Sequence, residues 1–127
     1  MGVFYVDCDI INVKKSSKKA SVPKLLVDSG SEATWVPAGA LKQAGIKVVK
    51  KDERFLMANG QTVTRSIGYA ILRAEGFETV DEVVFAQPGD LSLLGARTLE
   101  GFGAVVDPRK KKLVAAGPHP AAFSVGG

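Results

Sequence analysis

Asn59-Gly60 stands between two extended-prone stretches, residues 54–57 and 61–64, and an Asn-Gly pair in that setting is the strongest short-range signal for a β-hairpin. A hairpin near the middle of a chain needs strands to pair with, and runs rich in β-branched and aromatic residues supply them at 3–6, 10–13, 22–27, 77–85 and 91–94. From 63 to 71 the odd positions carry Val63, Ile67, Tyr69 and Ile71, while the even ones are small or polar. That period of two predicts a strand with its odd side chains inward, interrupted only by Arg65. Residues 104–106 and 113–116 read as a second hairpin, turned by Asp107-Pro108 and a basic tip. Good helix formers at 38–45 and 96–101 allow one or two short helices, the first closed by Gly45. Fourteen glycines and six prolines, scattered rather than clustered, provide the remaining turns. The expectation is an all-β fold in a single domain over 1–127, with its core at about 3–116 and an irregular tail at 117–127.

Apolar residues at 46% and charged residues at 24% are sufficient for a packed core and argue against disorder. The net charge of +4 is concentrated in runs: Lys14, Lys15, Lys18 and Lys19; Lys47, Lys50 and Lys51; and residues 109–112. Runs of this kind are read as solvated hairpin tips. With 7% aromatics, none of them interleaved with the lysines, there is no stacking platform for single strands, and no nucleic-acid partner is expected. Cys8 is the only cysteine, so an intrachain disulfide is impossible and a reducing compartment is compatible. The first residues carry Asp7 and Asp9 where a signal peptide would be apolar, and Val6 stands where myristoylation prefers Ser or Thr. No apolar run reaches membrane-spanning length, so a cytoplasmic location with no membrane partner is expected.

Chemistry concentrates at Leu25-Leu26-Val27-Asp28-Ser29-Gly30, an apolar strand that delivers a carboxylate into a tight turn. Apolar flanks keep such a group dry and its ionisation easy to perturb. Gly30 lets the backbone turn closely, and Ser29 can bond backbone groups beside the acid. Taken alone, Asp-Ser-Gly is as well explained by a plain turn. Further on the chain reads Leu93-Leu94-Gly95, again two apolar residues and a glycine before a short helix, and Ala58-Asn59-Gly60-Gln61 lies between the two motifs.

This order of parts resembles the retropepsin-like (retroviral-type) aspartic proteases over roughly residues 20–116. The resemblance implies a small, closed-barrel-like acid-protease single lobe with a flap hairpin. Asp28 would be the catalytic carboxylate, contributed once per subunit. Ser29 would bond the two active-site loops across a dimer axis, with Gly30, Leu94 and Gly95 supporting the loop. Ser31, Glu32 and Ala33 would bind substrate backbone, and Ala58, Asn59 and Gly60 would form the flap tip. Viral members carry arginine directly after the second glycine, whereas here Ala96 follows it and Arg97 comes one place later.

No other aspartate is followed by Ser/Thr-Gly, so a second carboxylate has to come from another copy. The implied protein is a homodimeric aspartic endopeptidase acting on polypeptides, with no cofactor. Two carboxylates held close share a proton; one takes a proton from water while the other polarises the peptide carbonyl. One histidine and one cysteine are too few for a metal site and leave no Ser-His-Asp or Cys-His pairing. Gly101-Phe102-Gly103 lacks the third glycine of a dinucleotide fingerprint, with Val106 in its place. Trp35 could wall a pocket or fill the core, Glu32 could titrate beside Asp28 or sit in solvent, and Asp107 is read as a turn former. The alternative function is a catalytically inactive binding module for peptides or proteins on the same fold. A basic nucleic-acid adaptor is a third and weaker one.

Overall fold

The computed structural model describes residues 3–121. In chain order the elements are β1 (Tyr5–Ile11), β2 (Lys19–Val27), β3 (Thr34–Pro37), α1 (Ala38–Gln43), β4 (Lys50–Leu56), β5 (Thr62–Ala74), β6 (Phe77–Ala86), β7 (Leu93–Leu94), α2 (Ala96–Phe102), β8 (Ala104–Asp107) and β9 (Lys112–Ala115). Six strands pair in a ring, β1-β2-β7-β3-β6-β5, and β5 returns to β1 through Asp9↔Arg73, Ile10↔Leu72 and Ile11↔Ile71. Closure satisfies the backbone groups that an open sheet leaves at its edges. β4 hangs on the outer side of β5, and β8 and β9 form a separate two-stranded hairpin. The fold is all-β, with two short helices.

Alternation along the strands builds the core. In β1, Val6, Cys8 and Ile10 point inward while Tyr5 and Asp7 face out. The two short strands expected at 3–6 and 10–13 are one strand, because Asp7 and Asp9 occupy outward positions where a charge costs nothing. β2 changes phase partway: Ala20 and Val22 are buried, then Leu25. The β1–β2 register shifts between Val6 and Cys8, opposite Pro23 and Lys24. Lys24 takes a left-handed φ of 53°, and its N–H donates to Asp7 Oδ1 at 3.0 Å. This bulge re-aims the strand's last residues. Leu25 enters the main core, Leu26 packs against a second cluster, and Asp28 follows at the strand's end.

β5 corrects the expected face. Its buried positions from Gly68 onward are even (Gly68, Ala70, Leu72 and Ala74), whereas Tyr69 is 43% exposed. Small residues are inside because the barrel closes over them: a Cβ on Gly68 would come within 2.7 Å of the Ile46 side chain and the Lys47 carbonyl. The odd positions Val63 and Ile67 belong to the other half of the strand, where they join the second cluster. That cluster (Trp35, Ile67, Val84, Ala86 and Leu93) is roofed by Phe55, Met57 and Val63 from the β4–β5 hairpin. The expected turn at 107–110 is built by Asp107, whose Oδ1 accepts from the N–H groups of Arg109 and Lys110. Residues 117–121 have no regular structure, and the rest of the expected tail lies outside the described residues.

Candidate active site

Asp28 continues a ladder. β2 and β7 run parallel through Leu26↔Leu93 and Val27↔Leu94, and the Asp28 N–H donates to the Leu94 carbonyl at 2.9 Å as a further rung. The chain then turns, with the Ser31 N–H donating to the Asp28 carbonyl at 3.2 Å. Both carboxylate oxygens are held: Oδ1 accepts from the Gly30 N–H and Oδ2 from the Ser31 hydroxyl, each at 3.0 Å. A Cβ at position 30 would sit 3.3 Å from Asp28 Oδ1, tight enough to disturb that grip. Asp28 and Ser31 are half-buried, while Ser29 and Gly30 are exposed.

The loop rests on the start of α2. The first N–H groups of a helix lack partners within it, and here Ala96 N–H donates to Ser31 O at 2.7 Å and Arg97 N–H to Glu32 O at 3.1 Å. Gly95 is required by close approach, since a Cβ there would collide with the Ala33 carbonyl and lie 2.7 Å from Glu32 O. Beneath it runs a chain of hydrogen bonds. Gly95 N–H donates to Thr34 Oγ1 at 2.9 Å, the Thr34 and Thr98 hydroxyls are bonded to each other, and Thr98 donates to Asp81 Oδ2 at 2.8 Å. Asp81 can only accept while ionised and Gly95 can only donate, so the Thr34 hydroxyl gives its proton to Thr98. Both threonines are completely buried and every polar atom of the pair is satisfied.

Next to the loop, through an apolar cluster that also takes in Leu26 and Ala33, stands the β4–β5 hairpin. Met57 N–H donates to Gln61 O, Gly60 N–H to Met57 O and Gln61 N–H to Asn59 Oδ1, closing a turn in which Gly60 adopts φ 85°. Ala58, Asn59 and Gly60 form its exposed tip and make no hydrogen bond to the Asp28 loop among the described residues. At the root, Phe55 meets Trp35 edge-on with ring centroids 5.1 Å apart. Trp35 is thus a packing residue that seats the hairpin. Arg65, which interrupts the apolar pattern of β5, lies among the hairpin's roots and forms a two-pronged ion pair with Asp90, both bonds 2.7 Å. The guanidinium and the Gln87 N–H hold the Asp90 carboxyl below the usual carboxylate range.

Glu32 is exposed and reaches Arg97 at 3.6 Å; Arg97 also approaches Glu82 at 3.9 Å, and Glu82 bonds Lys50 at 3.0 Å. Arg97 therefore links the loop to β6 through solvent-exposed pairs that contribute little individually. Burial pushes the Cys8 thiol up to about 12, which removes it as a nucleophile. Among the described residues no group of three or more His, Cys, Asp or Glu could hold a metal ion. No helix among them is long and apolar enough to cross a membrane. On the far side of the loop a hollow of about 510 Å³ is bordered by Val27, Ser29, Ala96 and Leu99 and by the β8 strand.

The overall fold is similar to that of a solved structure, the retroviral protease-like domain of Ddi1 from Leishmania major. The two chains superpose with a TM-score of 0.54 over 91% of this chain and 89% of that one, at 17% identity. The fold is retropepsin-like. No family model matches the chain, and no curated protein matches it in sequence. At that identity the likeness carries the fold and leaves the chemistry to the residues themselves.

Of the residues singled out in the sequence, Asp28, Gly30, Ser31, Leu94 and Gly95 meet in one bonded unit, with Glu32 attached through Arg97. Ala33 packs against the second cluster and Ser29 faces outward. The tip residues Ala58, Asn59 and Gly60 join this unit only through the apolar packing of Phe55 and Met57. Thr34, Thr98 and Asp81 were not visible in the sequence. A threonine inside a strand is ordinary, and only their meeting in space shows what they do.

Proposed function

We propose that the chain is an aspartic endopeptidase that works as a homodimer, with Asp28 and its symmetry mate forming the catalytic dyad. The observation that carries this reading is the Asp28 carboxylate itself: fixed by Gly30 and Ser31 at the end of an apolar strand, with a glycine-tipped hairpin nearby. Asp28 accepts a backbone N–H as a structural turn aspartate does, but a plain turn has no need of the apolar cluster that Leu26, Ala33 and the hairpin form beside it. One Asp-Ser-Gly per chain supports a twofold arrangement. So does the surface next to Ser29, where Val3 at 64% and Val105 at 48% exposure border an apolar hollow that a second copy would cover. Ser29 makes no side-chain hydrogen bond among the described residues, which leaves its hydroxyl available to the partner loop.

In the proposed reaction the ionised aspartate takes a proton from water while the protonated one donates toward the peptide oxygen. The water oxygen forms a bond to the carbonyl carbon. The tetrahedral diol then collapses: one hydroxyl returns its proton to the ionised carboxylate as C=O re-forms, the C–N bond breaks, and the leaving amine takes a proton from the other carboxyl group. No covalent enzyme intermediate forms. An extended substrate would lie between hairpin and loop, pairing its backbone with both.

Two features follow and are measurable together. Specific activity should rise with protein concentration until dimers predominate, and the pH profile should lie in the acidic to near-neutral range, as two coupled carboxyl groups require. An activity independent of concentration in a strictly monomeric protein, or an optimum above about pH 9, is incompatible with a shared-proton dyad.

A further inference from the structure

Two lysine-rich loops that are separate in the sequence form one surface in the fold. No acidic residue occurs from 10 to 27 or from 33 to 51. The β1–β2 loop carries Lys14, Lys15 and Lys18, and Lys19 opens β2, while Lys42 lies in α1 and Lys47 between α1 and β4. Asn12 fastens one to the other. Its Oδ1 accepts from the N–H groups of Lys14 and Lys15, and its Nδ2 donates to the carbonyls of Ala44 and Gly45 at 3.1 and 2.9 Å. The β1–β2 loop is further closed by Asn12 N–H to Lys18 O and Lys18 N–H to Lys15 O, each 2.9 Å. The Lys18 side chain lies along Gly45, with Cδ 3.0 Å from the point a Cβ there would occupy. All six lysines are exposed, and none forms an ion pair among the described residues. By contrast Lys50, at the start of β4, is taken up by Glu82.

Three exposed valines accompany them: Val13 at 50%, Val48 at 40% and Val49 at 52%. None of these residues lines the 510 Å³ hollow or the 400 Å³ one beside Pro88. A preordered, exposed cluster of lysines without ion-pair partners among the described residues, mixed with aliphatic side chains, fits a flat anionic surface with an apolar layer beneath it. It fits nucleic acid less well. The patch has no arginine and no aromatic for stacking or bidentate phosphate contacts, and valines would gain nothing from a phosphate backbone. Read singly, each lysine run is a solvated tip; joined through Asn12, they present a concentrated field.

We propose that this patch docks the protein on anionic lipid headgroups, with Val13, Val48 and Val49 entering the interfacial layer. β2 runs from Lys19 at the patch to Val27 beside Asp28, and nine strand residues span roughly 26 Å. Docking therefore leaves the Asp28 cleft clear of the surface. The inference stands on the charge arrangement alone and does not require the protein to be a protease.

The test is sedimentation of the full chain with vesicles of pure phosphatidylcholine and with vesicles containing about 30% phosphatidylserine, at low and high salt. The expected result is binding to the anionic vesicles only, weakened by salt, with each lysine contributing about fivefold to the partition. Reversal of Lys14, Lys15, Lys18 and Lys19 to Glu abolishes it. Reversal of residues 109–112, the basic tip of the β8–β9 hairpin, leaves it nearly intact. Val13, Val48 and Val49 replaced by Ser weaken binding at unchanged charge. Thermal melting verifies that each variant folds. Failure of the wild type to bind anionic vesicles at low salt overturns the proposal, as does equal loss in both lysine-reversed variants. Preferential capture of duplex DNA, with vesicle binding absent, overturns it in favour of a nucleic-acid site.

Discussion

The Asp28 loop, floor of the proposed cleft, and the β4–β5 hairpin, its proposed roof, are held in opposite ways. The floor is crosslinked: Asp28 to Leu94, Ser31 to Ala96, Glu32 to Arg97, and Gly95 down through Thr34 and Thr98 to Asp81. The roof is a hairpin whose tip, among the described residues, hydrogen-bonds only within itself and whose Leu56 is 78% exposed. Its attachments lie at the root, in the Phe55–Trp35 contact and the Arg65–Asp90 pair. Hydrogen bonds in a dry interior fix geometry, and a few apolar contacts under an exposed hairpin leave local opening inexpensive. The loop therefore keeps the Asp28 carboxylate fixed while the hairpin can open locally.

The largest break in that contrast should come from Gly95→Val. The new side chain would drive against the Ala33 and Glu32 carbonyls, and a loss of about 3 kcal/mol or outright failure to fold is expected in denaturant titrations. A variant of wild-type stability would show that the loop and α2 do not meet as closely as described. Next comes Thr98→Val, which keeps shape but strands Thr34 and Asp81. It should cost about 2 kcal/mol, and a change below about 0.5 kcal/mol would remove the hydrogen-bond chain from the explanation of the floor.

Phe55→Ala sharpens the comparison from the other side. It should lower global stability by only about 1–1.5 kcal/mol, yet accelerate amide exchange through the β4–β5 hairpin. The amides of Asp28 and Ala96 should keep their protection. Uniform acceleration across both regions would mean roof and floor open together. The smallest expected effect is in acid. Asp90 has a depressed carboxyl pKa in the folded protein, so its pair with Arg65 stabilises fully above the ordinary carboxylate pKa and is lost as pH falls through the folded value. Arg65→Leu should therefore flatten the stability profile below about pH 4 and change little of its slope near neutrality.

How much of this was legible in the sequence depended on the range of each interaction. The hairpin at Asn59-Gly60, the turn at Asp107, the helix ending at Gly45 and the Asp28 motif are local patterns, and the structure has all four. Its retropepsin-like fold agrees with the order of the two glycine motifs. What the sequence concealed is non-local. The bulge at Lys24 depends on Asp7 across the sheet, the inward face of β5 depends on where the barrel closes, and the six-lysine patch depends on Asn12 reaching a helix end more than thirty residues away. Arg65 looked like a flaw in a strand because its partner, Asp90, lies on a loop beyond the next one.

Wild type and Asp28→Asn, both confirmed as folded and at a concentration where dimers are present, should be incubated with an unfolded protein mixture at several mildly acidic pH values. Fragments from the wild type and none from the variant are expected, because an amide can neither take the proton from water nor share one with its mate. Cleavage that persists in Asp28→Asn, or its absence in both proteins, would contradict an aspartic dyad and turn attention to peptide binding on the same cleft.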